Sequence, residues 1–280
     1  MQKTLKKYFP IFIIPTLIAF LIAFVVPFIM GVYLSFCKFT TVVDAKFIGF
    51  DNYIKAFSNK EFLNALGFTA AFAVVSIITI NIFAFGLAFI LTRKIHGSHL
   101  FRTVFFMPNL IGGLVLGYIW QLIINGFLAK QQITMLADPK YGFWGLVILM
   151  NWQLIGYMMV IYIAGIQNVP KELMDAAAVD GANGFQRLKN VIIPMVMPSI
   201  TICLFLTVSN SFKLFDQNLA LTGGAPSRKT AMLALDIYDT FYGRVGFEGV
   251  GQAKAVVFFI LVAIITISQL VLTRRKEVEN

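Results

Sequence analysis

The stretch that decides how this chain folds is KELMDAAAVDGANGFQRLKNVIIPMVMP, residues 171–198. It is a compact segment, rich in Ala and Gly, between two long apolar runs. Glu172 and Asp175 are favourable at the positive end of a helix that starts here. Gly181 can end that helix in the left-handed conformation, and Asn183 can cap the turn that follows. The segment therefore predicts a helix–turn–helix elbow between two apolar helices.

One face of the first elbow helix is small and nearly flat. The residues at i, i+3, i+4 and i+7 share it: Met174, Ala177, Ala178 and Gly181. Such a face would let another protein pack close to the backbone. The alternative is an ordinary loop whose small residues pack on the chain's own helices. Composition alone weighs the two interpretations equally.

The composition defines the class of protein. The chain has 280 residues, of which 59% are hydrophobic and 13% are charged, whereas a soluble domain carries about a quarter charged residues. A helix needs roughly 20 apolar residues to cross a hydrocarbon core of about 30 Å, and the apolar runs are long enough. They show no alternation, and an open sheet cannot lie in lipid, so strands are a poor interpretation.

These runs predict an all-α, polytopic membrane protein with six transmembrane helices. The predicted spans are residues 9–36, 65–91, 101–125, 143–166, a fifth that starts by Ile192 or Pro198 and ends near Phe212, and 253–272. Residues 1–62 are predicted as the first transmembrane helix with an outer connector. Residues 63–275 are predicted as a transmembrane core that carries the elbow at 169–190.

The basic residues favour an orientation with both termini in the cytoplasm. They are dense in the short segments on one side: Lys3, Lys6, Lys7, Arg93, Lys94, Arg102, Lys171, Arg187, Lys189, Arg274, Arg275 and Lys276. Because bases in short loops mark the cytoplasmic side, we expect a multi-pass protein of a cytoplasmic membrane. The Lys-, Ile- and Phe-rich composition is typical of a low-GC bacterium. The net charge of +10 then reflects topology and contact with anionic lipid. No basic face is large enough to follow a nucleic acid.

Local signals predict further features of the helices. Ser58 or Asn59 can cap a helix that starts near Lys60, and Pro108 predicts a kink in the third span.

Two patterns concern helix surfaces. Gly113 and Gly117 have the spacing that lets a neighbouring helix approach closely. Residues 230–242 predict an amphipathic helix at the outer surface, with Asp236 and Asp239 on its polar stripe.

No constellation in the chain indicates an enzyme. Cys37 and Cys203 are expected to be small buried residues and not a disulfide. His96 and His99 have no Cys, Asp or Glu beside them, so no metal site is expected. Paired carboxylates in one cleft and a nucleophile elbow are both missing. We expect a protein without enzymatic activity and without a cofactor of its own.

Polar residues inside apolar spans are costly and are therefore candidates for function. Two clusters have helical spacing: Gln153 and Tyr157 in the fourth span, and Thr207, Asn210 and Ser211 in the fifth. Aromatic faces with neutral amides and hydroxyls suit a sugar, because rings stack on its C–H face and polar groups bond its hydroxyls. The alternative is hydrogen bonding that only holds helices together.

Other polar and aromatic residues are weaker candidates. Trp120, Gln121 and Trp152 are the weaker members of the substrate set. Lys213 and Asp216, at the outer end of the fifth span, are expected to be interfacial; contact with a binding protein or an anionic substrate is the alternative.

Several motifs along the chain carry a resemblance to a known family. They are P-x-x-x-G-x-Y-L-S-F at 27–36, F-x-G-x-D-N-Y at 47–53, G-x-x-x-F-R-T-x-F-F-x-P at 97–108, G-x-I-W at 117–120, D-A-A-A-V-D-G-A at 175–182 and F-D-x-x-x-x-L-T-G-G-A-P at 215–226. Over its whole length the chain resembles the permeases of ATP-binding-cassette importers of the maltose and glycerol-phosphate type. The elbow resembles their EAA loop, although Asp175 replaces the usual Glu and Leu188 the usual Phe.

This resemblance implies the type I importer fold and a set of partners. A second homologous permease subunit would complete the pore, two cytoplasmic ATPase subunits would bind ATP and Mg, and an extracytoplasmic sugar-binding protein would deliver the cargo, a sugar and most simply an oligosaccharide. The elbow would be the coupling helix in an ATPase cleft. Its contact residues would be Met174, Asp175, Ala176, Ala177, Ala178, Asp180 and Gly181.

Three rivals stay open. An importer of the same family could carry glycerol phosphate or another small polar solute. An ion-coupled secondary transporter would predict an inverted repeat and ionisable residues at the bilayer midplane, and neither is evident. A membrane-embedded enzyme would need a catalytic pair facing a cavity.

Overall fold

Long apolar helices make up most of the chain. The computed structural model describes residues 9, 13–93 and 96–275. Within these residues five helices are long and apolar enough to cross a membrane: Ile13–Leu34, Lys60–Leu91, Gly113–Gln131, Pro139–Gln167 and Glu248–Arg274. A further span is a bent pair, Gly184–Met195 and Met197–Phe212, with a 70° bend. The predicted all-α fold is confirmed, with six spans when the bent pair is counted as one. We number them one to six in chain order, so that the bent pair is span five.

Part of the predicted orientation rests on residues that are not described. Lys3, Lys6, Lys7, Lys94 and Lys276 lie outside the described residues.

Shorter elements connect the spans. They are the strands Cys37–Lys38 and Lys46–Phe47 and the helices Asp51–Ser58, Ser98–Phe106, Lys171–Val179, Asp216–Leu221 and Leu233–Gly243. Single turns are Val42–Asp44, Met107–Leu110 and Met135–Ala137, and a π-turn, Leu188–Ile192, lies within span five.

The chain divides into two compact units. One holds the residues up to Lys60 together with Ile237–Ile260. Its two strands pair antiparallel, with Cys37 opposite Phe47. The buried amide of Asn52 donates to the carbonyls of Ser35 at 2.9 Å and Cys37 at 2.8 Å, so it fixes the hairpin to the helix that follows.

The second unit holds Glu61–Asp236 and the residues from Leu261 onward. Span four lies at its centre and contributes a long series of buried residues, among them Leu146, Leu149, Met158 and Met159. The predicted division at residues 62 and 63 stays a prediction.

The third span differs from its prediction. Residues 101–106 belong to a separate helix, Ser98–Phe106, which is followed by the 3₁₀ turn Met107–Leu110. Ile111 and Gly112 are extended, and span three begins only at Gly113. Pro108 has no N–H for a helical bond, and two extended residues after the turn end the helix completely. The predicted kink is therefore a full break, and the boundary at 101 is wrong.

Gly113 and Gly117 do receive a neighbouring helix, as predicted. A Cβ on Gly117 would lie 2.6 Å from the Cβ of Ala220, and one on Gly113 would lie 2.9 Å from the Cβ of Asp216. Helix Asp216–Leu221 thus packs directly on the glycine face of span three. The sequence analysis predicts this segment as part of a loop and not as a helix.

Two other connectors were predicted with mixed success. Span two begins at Lys60 after the extended residue Asn59, which confirms the predicted helix start. The helix predicted at 230–242 is present as Leu233–Gly243. Its polar stripe is not a free surface, because Asp236 is 1% exposed and lies 3.9 Å from Arg228. Burial of Leu233 and Leu235 on the same helix accounts for this difference.

Candidate functional site

A small polar cleft lies where the break before span three meets spans four and five. Its volume is 150 Å³. Its lining is mostly amide-bearing and aliphatic: Asn109, Met150, Gln153, Leu154, Asn210, Lys213, Leu214 and Gln217. Two of the predicted substrate residues, Gln153 and Asn210, are therefore brought together at one cavity.

Gln153 connects the parts of the cleft. Its Nε2 atom donates to the carbonyl of Ile111 at 3.4 Å, in the extended stretch before span three. Its Oε1 atom accepts from Nε2 of Gln217 at 2.9 Å. Asn210 lines the cleft, and its amide nitrogen donates to the carbonyl of Leu206 within its own helix at 2.8 Å.

Two cleft residues, Asn109 and Gln217, were missed as substrate candidates, and a third, Lys213, had contact with an anionic substrate only as its alternative. Asn109 lies in the 3₁₀ turn after Pro108, Gln217 lies in helix Asp216–Leu221, and Lys213 ends span five. Lys213 was expected to be interfacial. The small-residue spacing of Gly113 and Gly117 was a partial signal, because it indicates a close helix neighbour without saying which segment supplies it.

Helix Asp216–Leu221 is held firmly in place. The buried Asn218 donates to Thr230 at 2.8 Å and accepts from the N–H of Met232 at 2.9 Å. Gln121, a weaker substrate candidate, donates instead to the carbonyl of Leu221 at 2.9 Å. The segment that carries Gln217 is thus anchored at its middle and at its C-terminal end.

The remaining predicted residues do not line the cleft. The ring of Tyr157 packs on Phe106, with centroids 6.3 Å apart. Thr207 and Ser211 are both 0% exposed. The other weaker candidates, Trp120 and Trp152, form an edge-to-face pair at 5.7 Å.

Thr207 belongs to a polar network that connects three spans. Its hydroxyl donates to the carbonyl of Cys203 at 2.6 Å and accepts from the amide of Asn81 at 3.3 Å. Asn81 in turn accepts from the hydroxyl of Tyr162 at 2.7 Å. This geometry matches the alternative of hydrogen bonding between helices, here spans two, four and five.

The elbow forms as the local signals indicate. Helix Lys171–Val179 ends at Asp180, and Gly181 has φ +77°, the left-handed conformation. Asn183 caps the next turn and forms a reciprocal capping box with Gln186, with distances of 2.8 and 2.9 Å. The predicted helix–turn–helix is confirmed.

The surface of the elbow differs from the predicted flat face. Met174 turns inward and packs against the hydrophobic core, and Ala177 is half-buried. The outward residues of the predicted coupling set are Asp175, Ala176, Ala178, Asp180 and Gly181. Two apolar residues that were not predicted as contacts are strongly exposed, Val179 at 89% and Phe185 at 72%. Both residues are apolar, lie on either side of Gly181 and stand in a polar segment, and this pattern could have indicated an exposed contact surface.

The six spans define a polytopic membrane protein. Residues 97–278 match the family described as binding-protein-dependent transport system inner membrane component. The chain belongs to this family of transport permeases, and it is therefore an inner-membrane component of a binding-protein-dependent transport system.

Two relatives extend the likeness over nearly the whole chain. The "Probable starch degradation products transport system permease protein AmyD" of Thermoanaerobacterium thermosulfurigenes is 45% identical, covering 96% of this chain and 94% of that protein. The multiple sugar-binding transport system permease protein MsmF of Streptococcus mutans is 28% identical, covering 99% of both.

A solved structure has the same fold. A chain of a bacterial ABC transporter involved in the import of alginate superposes with a TM-score of 0.83. The sequence identity is 19%, and the likeness covers 98% of both chains. The type I importer permease fold expected from the sequence is thereby confirmed.

Proposed function

We propose that the chain is a permease subunit of an ATP-driven importer that translocates an oligosaccharide across the cytoplasmic membrane. The names of its relatives, which refer to starch degradation products and to multiple sugars, support a carbohydrate cargo. The observation that carries the proposal is the pairing of Gln153 with Gln217 in a cleft that also contains Asn109 and Asn210.

The chemistry of the cleft fits a neutral, hydroxyl-rich ligand. Each amide offers donors and an acceptor in one plane, so it can donate a hydrogen bond to a hydroxyl group or accept one from it. The aliphatic residues Met150, Leu154 and Leu214 also line the cleft, but each is at most 7% exposed. The amides and Lys213 therefore provide most of the surface that a ligand would contact.

The size of the cleft indicates that this chain supplies only part of the site. Its 150 Å³ is below the roughly 300–1,000 Å³ of pockets that enclose a drug-sized ligand. A second homologous permease subunit would supply the facing half. An extracytoplasmic sugar-binding protein would deliver the cargo on the outer side.

The elbow would couple this site to two cytoplasmic ATPase subunits. Those subunits would bind ATP and Mg. Both termini and the elbow would then lie in the cytoplasm. The outward residues Asp175, Ala178 and Asp180, with the exposed Val179 and Phe185, would form the contact.

Uptake by the complete transporter in proteoliposomes tests this function. Labelled linear oligosaccharides of glucose, delivered by the binding protein, should accumulate only with internal ATP, and ionophores that collapse ion gradients should have no effect. Gln153→Leu or Gln217→Leu should raise KM by about fivefold, since a lost hydrogen bond costs about 1 kcal/mol. The matched control is Gln131→Leu, an exposed amide outside the cleft. Uptake driven by an ion gradient without ATP would refute the proposal.

A second candidate cargo is a small anionic solute, which the position of Lys213 on the cleft favours. Lys213→Gln separates the two cargoes. It should leave uptake of a neutral oligosaccharide nearly unchanged. Uptake of glycerol phosphate that Lys213→Gln abolishes would favour the anionic cargo instead.

A further inference from the structure

A second cavity lies behind the elbow and takes no part in the proposed transport site. Its volume is 720 Å³, and it opens between the last turn of span two, the end of span four and the elbow. Its inner wall is apolar, with Phe89, Ile166, Leu188 and Ile192 among the lining residues. Because spans two and four end here, the cavity lies at the boundary between lipid and water on the elbow side.

Three bases line the cavity: Arg93, Lys171 and Arg187. The guanidinium of Arg93 lies 4.9 Å from the centre of the Phe89 ring. The Nε atom of Arg187 is buried and has no hydrogen-bond partner among the described residues. A buried donor without a partner is costly, so this atom indicates a ligand acceptor at the site.

Nothing acidic balances these charges within the cavity. Of the described residues that line it, none is Asp or Glu. The acidic residues of the elbow, Glu172, Asp175 and Asp180, are exposed and lie outside the lining. The cavity thus combines an apolar wall with an unbalanced positive charge, which is the complement of an amphiphilic anion.

We propose that this cavity binds the headgroup of an anionic phospholipid drawn from the surrounding bilayer. Arg93, Lys171 and Arg187 hold the phosphate, and the acyl chains lie against the apolar wall. Basic pockets between helices at a membrane surface bind anionic lipid headgroups in this way. Lys171 and Arg187 belong to the elbow and Arg93 to the end of span two, so a bound lipid ties the elbow to the membrane domain.

The experiment uses the full-length chain in its complete transporter, in nanodiscs of phosphatidylcholine with or without phosphatidylglycerol. Native mass spectrometry after mild detergent extraction counts the phosphatidylglycerol molecules retained. The variant carries Arg93→Gln, Lys171→Gln and Arg187→Gln together. Each base near an anionic surface contributes about a factor of five, so the variant should lose retention by about a hundredfold.

The matched control removes three bases outside the cavity, Lys189→Gln, Arg274→Gln and Arg275→Gln, all exposed. It should retain phosphatidylglycerol like the wild type. A second variant, Gly184→Leu, keeps every charge and adds a bulky side chain at a residue that lines the cavity, where nothing lies within 4 Å of a new Cβ. This variant should also lose the lipid. Because its charge is unchanged, such a loss would show that the cavity itself binds the lipid.

Four results would overturn the proposal. One is equal retention by the charge variant and the wild type, and another is an equal loss in the control, which would mean general surface attraction. Displacement of the lipid by inorganic phosphate at matched ionic strength would identify a site for a small anion. Loss of ATPase co-purification with unchanged lipid retention would assign the cavity to a protein contact.

Discussion

A close backbone approach gives a sharp prediction at Gly156. This residue lies in span four, against the end of helix Ser98–Phe106. A Cβ at this position would overlap the carbonyl group of Phe105 and lie 2.8 Å from the backbone nitrogen of Phe106. Backbone atoms cannot rotate away as a flexible side chain can, so Gly156→Ala must displace the whole helix.

The magnitude follows from two opposing terms. Overpacking a well-filled interior costs about 1–3 kcal/mol. Replacing Gly by Ala in a helix, where no clash arises, gains up to about 1 kcal/mol. The control is Gly126→Ala in span three, where nothing lies within 4 Å of a new Cβ. Both variants gain the helix-propensity term, so they should differ by the overpacking cost alone, about 1–3 kcal/mol in the free energy of unfolding.

Unfolding of the purified proteins in mixed detergent micelles, with increasing dodecyl sulfate, measures this difference. Gly156→Ala should unfold at a lower denaturant fraction than the wild type, and Gly126→Ala at the same or a higher one. Transport should fall in the first variant, because helix Ser98–Phe106 leads into the turn that carries Asn109. If the two variants unfold within about 0.5 kcal/mol of each other, the size of an ordinary surface effect, the proposed close packing is refuted.

Three further predictions concern the elbow and the buried network. Gly181→Val should weaken co-purification of the ATPase subunits, since the left-handed conformation costs about 1–2 kcal/mol for a residue with a Cβ. Gly181→Asn should retain the ATPase subunits. Equal co-purification with both variants would contradict a role of the left-handed turn in this contact. Asn183→Ala should destabilise the elbow by about 1 kcal/mol through loss of its cap, and Asn183→Ser should restore it, as hydrogen exchange of residues 184–187 will report. Thr207→Val should lower stability by roughly 0.6 kcal/mol, the average for such bonds in membranes, without changing the KM for sugar; a raised KM would return Thr207 to the substrate site.

Local chemistry made the elbow predictable. A Gly directly after a helix can adopt the left-handed conformation, and an Asn three residues before a Gln can form a capping box. Neither feature needs a partner that is distant in the sequence. Gly181 and Asn183 therefore behave as their sequence indicates. The helix start at Lys60 is confirmed for the same reason, whereas apolar length alone placed the start of the third span wrongly at 101.

The cleft could be predicted only in part, because it depends on how helices rotate and on which loop folds back. Helical spacing places Thr207, Asn210 and Ser211 on one side of span five. The structure nevertheless buries Thr207 and Ser211 while Asn210 lines the cleft. Gln217 reaches Gln153 only because helix Asp216–Leu221 packs on Gly113 and Gly117. That contact is tertiary, and it cannot be predicted from the sequence of either segment alone.

The two sides of the proposed site connect to the elbow in different ways. From Gln153 to the elbow helix, span four runs without a break to Gln167, a distance of about 20 Å at 1.5 Å per residue, and its packed core makes this path stiff. Span five is interrupted instead: Pro194 and Pro198 flank Val196, where the two halves meet at 70°. A proline removes a helical hydrogen bond, so bending costs least at this point. Span four should therefore act as a rigid rod, so that a displacement of the elbow also displaces Gln153. In span five, the bend at Val196 should absorb the displacement before it reaches Asn210. The two walls of the cleft would then shift relative to each other, which is what opening and closing a site requires.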